Sequence, residues 1–443
     1  MVLSVIIVNY RVRHFLELCL HSVQKALAGI GAAEIIVIDN NSGDGSVEAL
    51  RPLFPGVRFV ENPENVGFAK ANNQALGLAS GEYILFLNPD TILAEDFARL
   101  CLDFLRGQPE EAGQPEPGHP QTGKAGPGRR GIGALGVRMV DGSGRFLPES
   151  RRGFPSPWVA FTRLSGLSAL FPRSRTFARY YLGHLPADRP HPAPVLSGAC
   201  LMVRRAVLDA AGGFDERFFM YAEDIDLSYR IEKAGYVNYY FPGTTIVHFK
   251  GESTQKDIRY VRQFYKAMSQ FRRKHFNRGL PALGNLVMEA AIWVRAGIST
   301  VGRAINGSRA GDPGVPGVQA GQRGHRISGV LAGQSGHRVS GVQPGSHDGP
   351  PEGVDPVSRI WVAGDPDEAG RVKNALRTLA ADPETANLVL FCQGAGFTFR
   401  ECITALERGG FDQVARRALF HAAGSRSAVG SANRDGRGET LVF

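Results

Sequence analysis

Cysteine is scarce: Cys19, Cys101, Cys200, Cys392 and Cys402 are the only five in 443 residues, and no two form a C-x-x-C pair. An odd, scattered set excludes a disulfide-stapled framework and fits reduced thiols in the cytosol. Long apolar runs are missing too. No stretch approaches the roughly 20 apolar residues that a membrane-spanning helix needs, and the chain starts directly in an apolar strand without a secretory-type leader. A cytoplasmic protein is expected, attached at most to the inner face of a membrane. Acid is nearly absent from 256–278, KDIRYVRQFYKAMSQFRRKHFNR, where Asp257 stands alone in a chain of net charge +9. Such a patch suits anionic partners. No helix-turn-helix, zinc-finger or RRM signature accompanies it, so nucleic acid is not an expected partner.

Two stretches lack apolar periodicity. Residues 107–131 are rich in Pro and Gly and read as a flexible insertion within the first domain. Residues 301–356 are dominated by Gly and hold a twelve-residue repeat, AGQRGHRISGVL followed by AGQSGHRVSGVQ. Two copies are too few for a solenoid, and so much Gly cannot offset its ordering entropy. This is a linker, and His325 and His337 read as solvated residues rather than metal ligands.

Beyond it, 357–443 regains globular character. RIWVAG and NLVLFCQG read as strands, and DEAGRVKNALRTLA and FRECITALER as helices, which predicts a small parallel α/β module. GDPDEAG lacks the G-x-G-x-x-G spacing, so no dinucleotide site is expected there.

Strand and helix alternate as cleanly over 1–105. LSVIIVNY, EIIVIDN, VRFVEN and EYILFLNPD are strand-like, and helices are expected at about 13–28 and over VGFAKANNQALGLA. The first of these helices places Phe15, Leu16, Cys19, Leu20, Val23 and Leu27 on one face. A β-α-β order of this kind demands right-handed crossovers, and it sets the ligand at the carboxyl ends of the strands. The polar residues lie there: Asn9-Tyr10-Arg11, Asp39-Asn40-Asn41 and Asn88-Pro89-Asp90. Asp39 and Asp90 each also suit a helix cap, but together at one sheet edge they favour a ligand site.

A second acidic group, Asp215, Glu223, Asp224 and Asp226, lies among aromatics in GFDERFFMYAEDIDLSYR. Partly buried acids need a metal, an arginine or a proton to be tolerated. His248 ends a further apolar strand, where a structural role is the commoner one unless an acidic metal site lies near. Arg151 and Arg152 suit phosphate contacts and surface positions equally. Ser197, Gly198 and Ala199 are small enough for close sugar approach, and for close packing.

Taken in order, VIIVNY, VIDNNSGDGS, NVGFAKANNQAL, FLNPDT, LSGACLMVRRAVLDAAGGFDERFFMYAEDIDLSYR and VHFKGEST resemble the family 2 glycosyltransferases over about residues 3–255. The nearest group is the rhamnosyltransferase-like enzymes of bacterial surface polysaccharide assembly. The resemblance implies a GT-A-type nucleotide-binding domain over 1–280 with a mixed, mostly parallel central sheet. An amphipathic helix at 281–300, the linker and the small C-terminal α/β module would follow it. It implies an inverting transfer of a sugar, rhamnose first and other hexoses next, from a nucleoside diphosphate to a glycan or polyprenyl-diphosphate-linked acceptor.

By the same resemblance Asp39 contacts the base, and Asn9 and Arg11 line the nucleotide pocket. Asn65, Gly67 and Asn73 lie on the donor side. Asn88-Pro89-Asp90 stands in place of the metal-binding D-x-D, with Asn88 for its first Asp. Asp90 is then the main ligand of Mg²⁺ or Mn²⁺, His248 a further ligand, and Asp224 the base with Glu223 beside it. A diphosphate leaving group needs a hard cation, and an attacking hydroxyl needs a base. The Asn88 departure leaves a non-catalytic nucleotide-sugar or glycan binder as the alternative. The basic segment with the helix after it suits in-plane attachment to an anionic leaflet, and packing on the catalytic domain equally well.

Overall fold

The computed structural model describes residues 1–107, 131–249 and 258–276, except 157, 160, 161, 163 and 164, together with 360–364, 388–393, 398–407, 417–423, 425, 427–430 and 439–442. Nearly all of the expected insertion, the helix at 281–300, the linker with His325 and His337, and most of GDPDEAG lie outside the described residues.

The apolar runs become strands β1 (Leu3–Asn9), β2 (Ala33–Asp39), β3 (Val57–Glu61) and β4 (Tyr83–Leu87). Helices α1 (Arg13–Leu27), α2 (Ser46–Leu50) and α3 (Phe68–Leu78) connect them. These strands pair in parallel in the order β3-β2-β1-β4. Short β5 (Thr91–Ile92) and helix α4 (Phe97–Arg106) lead on to β6 (Ile132–Val140).

A two-residue strand β7 (Arg151–Arg152), a one-turn helix α5 (Leu167–Leu170) and the short strands β8 (His191–Pro192) and β9 (Val195–Leu196) follow. Then come β10 (Cys200–Arg204), α6 (Arg205–Ala211), α7 (Glu223–Lys233), β11 (Val237–His248) and α8 (Ile258–His275). The sheet runs β3-β2-β1-β4-β10-β6-β11-β5, with β8 also on β11. Antiparallel β10 sits between β4 and β6, while β6 and β11 are parallel. The sheet is therefore mixed, with its longest ladders parallel.

Register fixes the working edge. Asn9 lies opposite Asp39, and Asp39 opposite Glu61, so the first three strands end together. At the far side His248 pairs with Thr91, which brings the end of β11 to the residue after Asp90.

Helix α1 is buried on more than the expected face. Leu16, Cys19, Leu20 and Val23 pack on the sheet, but Phe15 and Leu18 join a separate apolar cluster, and Leu27 is only half-buried. The second cover comes from the C-terminal module. Its strands β12 (Ile360–Gly364), β13 (Leu388–Gln393) and β14 (Arg417–Ala422) are parallel, and β15 (Ser427–Gly430) and β16 (Glu439–Val442) extend the sheet antiparallel. The module is thus mixed rather than wholly parallel.

Its helix α9 (Phe399–Glu407) starts with a capping box between Thr398 and Glu401. Glu95 of the catalytic part then accepts the Phe399 and Arg400 backbone N–H groups at 2.7 and 2.9 Å. Two unfilled donors at a helix start, with the positive end of the dipole, suit a carboxylate. Glu95→Ala is expected to loosen this joint by about 1 kcal/mol, read as faster amide exchange at Phe399 and Arg400 with the rest of the chain unchanged.

The basic helix α8 packs on the catalytic part. Ala267 and Phe271 enter a cluster with Phe218, Ile225 and Tyr229, while Arg262, Lys266 and Arg273 remain exposed. Among the described residues no helix is long and apolar enough to cross a membrane.

Candidate active site

The nucleotide-side residues form one hydrogen-bonded set. Asn9 donates to Asp39 at 2.7 Å and to Ser42 at 3.0 Å, and Asp39 in turn accepts the Ser42 N–H at 3.0 Å. Arg11 is tied to Ser42 by its backbone N–H and its Nε. Asn40 donates to Asn65 and to the Gly67 carbonyl and accepts the Val66 N–H, so it holds the next loop against the first. Gly67 has φ +88°, and a Cβ there would lie 2.6 Å from the Phe219 carbonyl oxygen, so only glycine fits. Asn73 fixes the same region by its bonds with the Phe214 backbone and Glu216.

Neither Asp39 nor Asp90 caps a helix. The N-caps of α2 and α4 are Gly45 and Asp96, and neither makes a side-chain cap bond. Asp90 instead lies 3.4 Å from His248 Nε2, and the Asn88 amide nitrogen approaches the same Nε2 at 3.4 Å. All of these residues but Asn88 are buried, and the other ring nitrogen of His248 is buried without a partner. The donor set fits a divalent cation: a carboxylate oxygen and an imidazole nitrogen, both buried and 3.4 Å apart, would hold one. Among the described residues no three His, Cys, Asp or Glu side chains converge.

The second acidic group separates by neutraliser. Asp226, fully buried, takes Arg230, Lys274 and His275 at 2.7, 2.7 and 2.6 Å. Burial pushes its pKa up, but the bonds from His275, Lys274 and Arg230 outweigh that and hold it low. Asp215 is held low by Arg217 and Lys274. Both belong to the anchoring of α8. Asp224 pairs with Arg152 at 2.5 Å and accepts the Gly198 N–H at 3.2 Å. Among the described residues Glu223 has no ion pair of its own, and its Oε2 is buried without a hydrogen-bond partner. Burial, and then the Asp224 charge, push its pKa up to about 8, which favours the protonated form.

That proton has a measurable consequence. Glu223 binds it more tightly in the folded than in the unfolded chain, whose carboxyl titrates near 4.5. Between those values the folded state holds more protons, so stability falls as pH rises through the window. Glu223→Gln, neutral throughout, is expected to flatten the fall. Denaturant midpoints at pH 5 and pH 8 would lie closer together than in the wild type.

Gly198 and Ala199 join the two groups. The Ala199 carbonyl accepts the Asn88 N–H at 2.9 Å while Gly198 donates to Asp224. A Cβ on Gly198 would meet the Asp224 Cβ at 3.3 Å. Backbone strain gathers in the same places. Five non-glycine residues have positive φ among the described residues, and four flank the site: Arg11 and Asn41 after β1 and β2, Tyr221 and Ala222 directly before Glu223. Strained backbone of this kind persists where the surroundings hold a functional geometry.

The chain matches the Glycosyl transferase family 2 profile over residues 4–212 and the Glycosyl transferase family group 2 profile over 152–304. It is 31% identical over 268 residues to the N-acetylglucosaminyl-diphospho-decaprenol L-rhamnosyltransferase of Mycobacterium tuberculosis, across 58% of this chain and 78% of that protein. The chain belongs to glycosyltransferase family 2. This glycosyltransferase is also 24% identical to the low-salt glycan biosynthesis hexosyltransferase Agl10 of Haloferax volcanii, across 52% of this chain and 62% of that one. A mannosyltransferase from Pyrobaculum calidifontis, solved with GDP-Man and Mn²⁺, aligns with a TM-score of 0.42 at 19% identity over 70% of this chain and 76% of that one.

Three residues of the glycosyltransferase site carry more than the sequence reading assigned. Asn40 and Ser42 organise the nucleotide-side loops, a role that the polar run DNNS signals only once the partners are known. Arg152 is half-buried and ion-paired with Asp224. Its neighbour Arg151 is buried against the Leu185 and Pro186 carbonyls and His191.

Proposed function

We propose that this glycosyltransferase moves a sugar, rhamnose first, from a nucleoside diphosphate to a hydroxyl of a lipid-diphosphate-linked glycan, with inversion and with a divalent metal. The observation that carries the reading is the Gly198–Ala199 link, which sets Asn88 and Asp224 on adjacent residues of one strand entry. Donor leaving group and acceptor hydroxyl are thereby served side by side.

In this reading Asn9, Arg11 and Asp39 bind the nucleotide, and Asn65, Gly67 and Asn73 shape the donor side. Asn88, Asp90 and His248 face the diphosphate. Asp90 and His248 would hold Mg²⁺ or Mn²⁺, which neutralises charge on the departing diphosphate. With Asn88 in place of a carboxylate, the nucleotide would bring most of the remaining ligands. Asp224 takes the acceptor hydroxyl proton as that oxygen bonds to the anomeric carbon. The bond from the same carbon to the diphosphate breaks on the opposite face, its electron pair leaving with the nucleotide. Protonated Glu223 adds no second charge beside the base.

The rhamnosyl donor, the lipid-linked acceptor and a place in surface polysaccharide synthesis are supported by the mycobacterial relative, which is named for that sugar and acceptor. Such an acceptor would hold the enzyme at the cytoplasmic face of the membrane.

The test is donor binding and hydrolysis over a panel of nucleotide sugars with Mn²⁺, Mg²⁺ or EDTA. Metal-dependent turnover of dTDP-rhamnose supports the reading. Tight binding without turnover, even with lipid-linked acceptors, would move the assignment to a non-catalytic binder, which Asn88 alone favours.

A further inference from the structure

Four of the seven exposed large hydrophobic residues among those described fall in one segment: Trp158, Leu170, Phe171 and Tyr181. Trp158 and Phe171 both pack on Phe177, with ring centroids 6.1 and 5.5 Å apart, so three aromatics make a continuous half-open platform. Leu170, at the end of α5, is 72% exposed beside it. Exposed apolar side chains grouped in this way mark an interaction surface. Charge is as one-sided as the apolar surface. Arg173 and Arg175 are exposed directly after Phe171, and Asp188 is the only acid in residues 158–189.

The platform is firmly built on the site. The Arg151 guanidinium donates to the Leu185 and Pro186 carbonyls. The Gly153 N–H donates to the Tyr180 carbonyl at 2.7 Å, and a Cβ on Gly153 would lie 2.5 Å from the Arg179 carbonyl oxygen. Between those two anchors is Arg152, on Asp224. The segment therefore stands on the same short strand that holds the base.

We infer that Trp158, Leu170, Phe171, Arg173 and Arg175 form a docking surface for an anionic phospholipid bilayer, with the apolar groups in the headgroup boundary and the guanidiniums on lipid phosphates. Aromatic and aliphatic side chains ringed by arginine suit that boundary, and the lack of acid removes repulsion from it. The inference extends the lipid-linked reading by placing Asp224 next to the membrane, but it stands on its own surface and is tested without donor or acceptor. It also moves the membrane contact away from α8, whose apolar face and Lys274 are already engaged with the catalytic part.

The test is flotation of the full chain with vesicles of phosphatidylcholine alone or with 30 mol% phosphatidylglycerol. The wild type is expected to float with the anionic vesicles and much less with the neutral ones. Leu170→Ser/Phe171→Ser and Arg173→Glu/Arg175→Glu, all on exposed positions, should each lower partitioning by about thirtyfold or more, with unchanged circular dichroism and thermal midpoint. Lys266→Glu/Arg273→Glu on α8 should leave it within about twofold. The inference falls if the α8 pair abolishes flotation and the platform pairs do not, or if the wild type does not float. It falls too if inorganic pyrophosphate at millimolar level abolishes flotation, which would mark a soluble-anion site. Concentration-dependent dimerisation lost in Leu170→Ser/Phe171→Ser, without flotation, would assign the platform to a second copy. A failure on any of these arms leaves sugar transfer untouched, because donor turnover is read separately.

Discussion

Asp224→Asn is expected to lower the transfer rate by about a thousandfold while nucleotide-sugar affinity stays within about twofold. A positioned general base contributes roughly 10² to 10⁴ in rate, and an amide of the same shape cannot take the acceptor proton. The substitution is mild for the fold. The Ile225 N–H bonds to Oδ1 and the Gly198 N–H to Oδ2, so the single amide oxygen keeps one of these two bonds. The variant also loses the charge facing Arg152. The nucleotide-side set is on β1 and β2 and does not touch Asp224, which is why binding should survive. The check is a single-turnover rate with acceptor, beside donor affinity by calorimetry. Loss of both together would mean that Asp224 shapes the donor pocket rather than serving as the base.

Much of the fold is legible because the strands of a buried parallel sheet read as apolar runs, and their polar ends mark the candidate site. LSVIIVN and EIIVID carried β1 and β2, and Asn9, Asp39 and Asp90 were placed by the rule that ligands gather at carboxyl ends. Partners across long sequence separations were not legible. Nothing in RRGFP says that Arg152 will meet a carboxylate 72 residues on. For the basic segment, membrane attachment and packing on the catalytic part are equal in the sequence, because its counter-charges, Asp215 and Asp226, lie in another motif. One-sided periodicity in α1 missed Leu18, because helical spacing reveals a core face and cannot foresee a second cover arriving from residues beyond 398. In the module, RALFHA and SAVG are too short and too weakly patterned to stand out as strands, and their pairing made the sheet mixed.

Asp90→Ala is expected to abolish metal-dependent donor binding and to lower kcat/KM by about a thousandfold, the scale of several kcal/mol that a metal supplies to a charged leaving group. The carboxylate is nearly fully buried, and the His248 ring lies 3.4 Å from it. An acid so enclosed is costly to keep without a cation to face. The fold should therefore not suffer from its removal, since the backbone at this point is held independently by the Phe249 N–H on the Asp90 carbonyl. Thermal stability in EDTA should be unchanged or slightly higher, and the stabilisation that Mn²⁺ plus nucleotide gives the wild type should vanish. His248→Ala, which leaves the carboxylate in place, should weaken Mn²⁺ in the ternary complex by a smaller factor than Asp90→Ala does. The order of these two variants decides between a metal centre and a structural pair. If both lower the melting temperature alike in EDTA and neither changes Mn²⁺ affinity, Asp90 and His248 merely pin β5 to β11. If Asp90→Ala costs affinity and not stability, the buried carboxylate is there for the ion.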